Sequence, residues 1–145
     1  VPDAGVDFDV RKYDFDRDPP RLATMARMYD ATNPDLTAFR ERGGKLLLFH
    51  GWADPLVTPQ RTLDYYDAVR ATMGGAESTA QFARLFMLPG VDHCGLQPGP
   101  GAKSVDFDPL PALEAWVERN EAPPTLNVRW QMSDGSVRSR DVQAQ

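Results

Sequence analysis

The stretch Leu46-Leu47-Leu48-Phe49-His50-Gly51-Trp52-Ala53-Asp54-Pro55 decides how this 145-residue chain is read. Four consecutive apolar residues, preceded by Gly43-Gly44 and closely followed by Gly51, make a continuous run without the alternation of a half-exposed strand. They fit a strand covered on both faces of a parallel sheet. Gly51 lets the chain leave that strand sharply. Pro55 biases the residue before it away from the helical region, which keeps Asp54 on a short loop at the strand's carboxyl end. Ligands and catalytic groups gather at that end of open α/β sheets. Thr58-Pro59 then supplies an N-cap residue and a proline at the first helical position, and Leu63, Tyr66, Val69 and Met73 mark one face of a helix that Gly74-Gly75 ends.

A second buried strand is expected over residues 84–88, and Pro89-Gly90 turns the chain into Asp92-His93-Cys94-Gly95. Asp54 and His93 are 39 residues apart, room for one helix and one strand. A carboxylate on the first loop can accept the Nδ1 proton of an imidazole on the second, fixing its tautomer and stabilising the imidazolium when it forms. Histidine, ordinarily titrating near pH 6.5, is the side chain suited to take a proton from a serine hydroxyl at neutral pH. An Asp and then a His after successive strands is the order in which α/β-hydrolases place two of their three catalytic groups. The third is not visible: there is no Gly-x-Ser-x-Gly, and Ser78, Ser104, Ser133, Ser136 and Ser139 lie in no strand-turn-helix context.

Other readings compete for these residues. An Asp before proline is commonly a simple turn-former. His50, at the strand end, is better placed to bond local backbone than to act as the base, with a part in shaping the acid loop left open. Asp92 is a rival acid, ranked below Asp54 because loop neighbours in sequence usually point apart. His50, Asp54, Asp92, His93 and Cys94 have no recognised metal-ligand spacing. Cys94 is the single cysteine, and a lone cysteine is most often a small buried hydrophobe.

The rest of the chain is that of a globular domain or part of one, 41% hydrophobic and 26% charged. With a net charge of −5 and its 16 basic residues scattered, it is not expected to bind nucleic acid. No apolar run approaches the roughly 18 residues of a membrane helix, so no membrane association is expected, and Val1-Pro2-Asp3 does not begin a signal sequence. A start at Val rather than Met suggests an excerpt or a processed product. Residues 1–20, rich in Asp and Pro, read as an extended arm. Helices are expected over about residues 20–31, around Leu36 and Phe39, and after Asp108-Pro109, the last with Leu110, Leu113, Trp116 and Val117 on one side. Gln97-Pro98-Gly99-Pro100-Gly101 is a loop. Leu126, Val128, Trp130 and Met132 alternate, and Asp134-Gly135 turns them toward residues 137–142 as a hairpin-like tail.

Residues 45–60, Leu63-Asp64-Tyr65-Tyr66, residues 84–95, Pro98-Gly99-Pro100-Gly101 and residues 112–117 together closely resemble the C-terminal part of the tannase and feruloyl esterase family. Asn33-Pro34-Asp35-Leu36, Phe39 and Arg42-Gly43-Gly44-Lys45 resemble the approach to the first of those strands. The resemblance covers roughly residues 30–125 and implies a secreted α/β-hydrolase serine esterase, extracellular or periplasmic, that cleaves esters of phenolic or aromatic acids. It assigns the catalytic acid to Asp54 and the catalytic base to His93, and implies that Cys94 is disulfide-bonded to a cysteine preceding the nucleophilic serine. It also allows a structural calcium in a lid segment; neither the lid nor the Cys-Ser nucleophile segment has a counterpart here. The expectation is therefore the C-terminal portion of one catalytic domain, inactive without the rest, whose partners are an aromatic ester and the N-terminal part of the same protein. The alternatives are a fragment of another α/β-hydrolase, such as a serine peptidase, or a non-catalytic hydrolase-like binding domain.

Overall fold

A computed structural model describes residues 9–93 and 100–145, and the chain divides into two compact units, residues 1–33 and 34–145. In the first, the part read as an extended arm is turned rather than extended from residue 9 onward. Asp9 caps a 3-10 turn at Val10–Lys12, and a second at Pro19–Leu22 runs into helix α1, Ala23–Tyr29. The carboxylates that make the segment look solvated fold it: Asp18 Oδ2 accepts the Asp14 N–H, and Asp14 Oδ1 accepts those of Asp16 and Arg17.

The second unit begins with a short helix α2, Thr37–Glu41, followed by strand β1, Leu46–Gly51, helix α3, Pro59–Thr72, and helix α4, Ala76–Ala80. Strand β2, Ala83–Leu88, pairs in parallel with β1, from Leu46 opposite Ala83 to Gly51 opposite Leu88. The loop expected at residues 97–101 lies mostly outside the described residues; beyond it come strand β3, Ala102–Asp106, helix α5, Leu110–Arg119, and strands β4, Thr125–Met132, and β5, Val137–Gln143. These three strands form an antiparallel sheet in the order β3-β4-β5. Its end is tied to the parallel pair: Ala144 bridges Phe86, and the Gln145 N–H donates to the Leu85 carbonyl at 2.9 Å.

Side-chain alternation along the parallel pair explains its unbroken apolar runs. Leu46 and Leu48 of β1 and Leu85 and Met87 of β2 join Tyr66, Val69 and Met73 of α3 and its C-cap in one cluster. Leu47, Phe86 and Leu88 join Leu126, Val128 and Val142 of the antiparallel sheet in another. Strand β2 is accordingly buried along its apolar length, whereas β1 is only partly buried and Phe49 is 50% exposed. This corrects the expectation that β1 is covered on both faces. Among the described residues β2 has covered faces and a further chain segment on its free edge, while β1 pairs with β2 alone.

Helix α3 starts with Pro59 at its first position after Thr58, whose side chain makes no capping bond, and Gly74 and Gly75, at φ +91° and +95°, end it in a conformation that favours glycine. On α5 Trp116 is buried, but Val117, expected beside it, is 60% exposed. The Lys45 ammonium and the Arg84 guanidinium lie 5.4 and 5.5 Å from the Trp116 ring. The contrast yields a prediction. Phe86→Ala should lower the unfolding free energy by about 3 to 5 kcal/mol in denaturant titration, and Val117→Ala by no more than about 0.5 kcal/mol.

Candidate active site

The two loops at the carboxyl ends of β1 and β2 are fastened to each other by backbone. The Trp52 N–H donates to the Leu88 carbonyl at 2.9 Å and the Ala53 N–H to the Val91 carbonyl at 3.0 Å, extending the parallel ladder past the end of the sheet. Contact between the loops is so close that a Cβ at position 51 would lie 2.1 Å from the Val91 carbonyl oxygen, so only glycine fits there. The approach carries Asp54 and His93 together.

His93 Nδ1 lies 2.9 Å from Asp54 Oδ2, with the Asp54 side chain 5% exposed and that of His93 33% exposed. Because the carboxylate is an acceptor, Nδ1 donates to it, and in the neutral ring Nε2 is left with the lone pair. The other carboxylate oxygen, Oδ1, accepts the backbone N–H groups of Leu56 at 2.8 Å and Val57 at 2.9 Å, an Asx turn that fixes the side chain. Burial alone would push the Asp54 carboxyl upward. The Val57 N–H, the His93 ring and the Leu56 N–H outweigh it, and the group is held well below the usual carboxylate range.

His50 reaches the same carboxylate. Its Nε2 lies 3.1 Å from Asp54 Oδ2 and 3.1 Å from the Val57 carbonyl oxygen, and its Nδ1 lies 2.6 Å from Thr62 Oγ1. The backbone contact follows from its place at the strand end; the contact to Asp54 was not read from the sequence, nor was Thr62. The sequence placed only the start of the helix at Pro59, whose first turn carries Thr62; the crossing of that turn over the end of β1 is a tertiary contact. Asp54, not Asp92, is the carboxylate that His93 meets, and among the described residues Asp92 Oδ1 is buried without a hydrogen-bond partner. Cys94 lies outside the described residues.

These groups line a cavity of about 630 Å³, within the range of small-molecule sites. Its remaining wall is apolar and includes Val91, Val105 and Phe107. The Phe107 ring meets Phe49 edge to face with centroids 5.0 Å apart. Among the described residues no group of three His, Cys, Asp or Glu is arranged to hold a metal ion, and no helix is long and apolar enough to cross a membrane. The arrangement can accept a proton at His93 and stabilise the resulting cation through Asp54.

Two outcomes are expected. Gly51→Ala should cost roughly 3 kcal/mol or more of stability in denaturant titration, because it forces the two loops apart. The stability that wild type gains over Asp54→Asn from its ionised carboxylate should be full above the ordinary carboxylate pKa of about 4 and shrink as pH falls below it, since the folded state holds this group in the lower range. Unfolding curves for both proteins from neutral pH into acid check the sign.

The chain is similar to known proteins along most of its length. The family model described as tannase and feruloyl esterase matches residues 2–144. A mono(2-hydroxyethyl) terephthalate hydrolase from Piscinibacter sakaiensis is 43% identical over 134 residues, 87% of this chain and 21% of that protein. A probable feruloyl esterase from Arthroderma benhamiae is 39% identical over 126 residues, 83% of this chain and 23% of that protein. Among solved structures, an esterase from Aspergillus oryzae superposes with a TM-score of 0.76 at 28% identity, over 95% of this chain and 30% of that one. A tannin acyl hydrolase from Aspergillus niger gives 0.76 at 25% identity, over 94% and 26%. The chain thus spans 21% and 23% of the length of the two curated relatives named. With a matching family model over nearly all its residues, and the same α/β architecture as these structures, the chain belongs to the tannase and feruloyl esterase family.

Proposed function

We propose that this chain is the acid-and-base portion of an α/β-hydrolase serine esterase that acts on esters of phenolic or other aromatic acids. The observation that carries the reading is the 2.9 Å contact between His93 Nδ1 and an Asp54 carboxylate that two backbone N–H groups hold in place. That is the geometry a general base needs from its orienting acid.

The serine is supplied by another part of the same protein. Its hydroxyl oxygen bonds to the ester carbonyl carbon as His93 Nε2 takes the hydroxyl proton, and Asp54 stabilises the imidazolium. Collapse of the tetrahedral adduct breaks the bond to the alcohol oxygen, which receives that proton from His93. Water then gives a proton to His93 and its oxygen to the acyl carbon, and the proton returns to the serine as the acid departs. The aromatic wall formed by Phe49 and Phe107 supports an aromatic acyl or alcohol group in the cavity.

Cys94 is part of the same proposal. Adjacent to His93 in sequence, it would bond to a cysteine beside the nucleophile and hold base and nucleophile within reach, adding roughly 2 to 4 kcal/mol of stability. Such a bridge requires an oxidising compartment, in keeping with an extracellular or periplasmic protein.

An ester panel assayed on the full-length protein tests the reading. Hydrolysis of aromatic esters should fall by at least about 100-fold in His93→Ala, the scale of general-base help. Retained activity in that variant removes His93 from the mechanism, and ester hydrolysis by the purified 145-residue chain alone contradicts the assignment of the nucleophile to another segment.

A further inference from the structure

The Asp54 carboxylate serves two imidazoles, and the second has no place in the proton transfers above. We infer that His50 is a positioning residue that acts through Asp54 to set how strongly His93 holds a proton. The inference rests on the esterase reading.

The hydrogen-bond geometry fixes what His50 does. Its Nε2 faces two acceptors, Asp54 Oδ2 and the Val57 carbonyl oxygen, each at 3.1 Å, so Nε2 carries a proton and donates it to both. In the neutral ring Nδ1 is then an acceptor, and the Thr62 hydroxyl 2.6 Å away is its donor. Thr62 therefore selects the tautomer, and that tautomer grips the acid. Together with the N–H groups of Leu56 and Val57 on Oδ1 and of His93 on Oδ2, the carboxylate receives four donors, its full capacity.

Sharing Oδ2 has a consequence for the base. A carboxylate oxygen that already accepts one N–H offers less negative charge to a second, so His50 weakens the hold of Asp54 on the His93 imidazolium. Removing His50 leaves Oδ2 to His93 alone and makes the protonated base more favourable. Among the described residues the titratable groups lining the cavity with His93 are Asp54, His50 and Asp92; α3 contributes the hydroxyl of Thr62, and β3 with the residue after it contributes only apolar Val105 and Phe107.

The test is the pH dependence of kcat/KM for a soluble aromatic ester in the full-length protein, comparing wild type with His50→Ala, His50→Gln and Thr62→Val. The acid limb should move up by roughly half to one pH unit in His50→Ala and by less, in the same direction, in Thr62→Val. His50→Gln should stay near wild type, because its amide N–H still donates toward Oδ2. A limb that stays in place while activity falls equally at every pH is the mark of a merely structural residue and overturns the inference, as does a limb that moves down. Should His50→Ala fail to fold, Thr62→Val decides, and a wild-type limb there overturns it. Failure of the underlying reading shows separately, as activity retained in His93→Ala.

Discussion

The structure depends on the parallel pairing of β1 with β2 and on its continuation into the loops beyond. Six residue pairs set the register, and the bonds from Trp52 to Leu88 and from Ala53 to Val91 carry it onward until Asp54 and His93 meet. A shift of one residue along either strand would turn its side chains to the wrong faces. It would exchange the Leu85 and Met87 contacts with α3 for the Phe86 and Leu88 contacts with the antiparallel sheet. Core packing and site geometry are therefore one constraint: the apolar alternation that fixes the register also sets the distance between Asp54 and His93.

At the site itself, polar groups do what packing cannot. Asp54 is nearly buried, and an ionised carboxylate there is sustained only because every lone pair finds a donor. Pro55 and the Asx turn place the Leu56 and Val57 N–H groups on Oδ1. Once that oxygen is committed, Oδ2 is left to the imidazoles. His93 is more exposed than Asp54, as the proposed role of general base requires. Phe49, half exposed on β1, and Phe107, just beyond β3, give the cavity its aromatic wall.

Much of this was legible in the residues themselves. The runs that form β1 and β2, the Pro59 start of α3 and its glycine stop, and the alternation of Leu126, Val128 and Met132 have strong local signals that tertiary packing reinforces. Strand β3 had none, because Ala-Lys-Ser-Val-Asp is largely polar and exposed, a bulge near Ala102 disturbs its pairing, and β4 supplies its order. Helix α4 is five residues long and follows directly on two glycines. The uneven burial of β1 depends on which edges find partners, and no periodicity encodes that. Asp54 and His93 could be named because their places at strand ends follow from local turns. The bonds from His50 to Asp54 and Thr62 depend on where α3 crosses the strand, a distance no spacing in sequence supplies.

The central claim is that Asp54 works through His93, and a double-mutant cycle on kcat/KM in the full-length protein measures it most directly. Asp54→Asn and His93→Ala should each cause a large loss, and the double variant should be little worse than His93→Ala alone, because residues acting as one unit are not additive. Losses that simply multiply in the double variant would mean that the two side chains act independently, and would contradict the account.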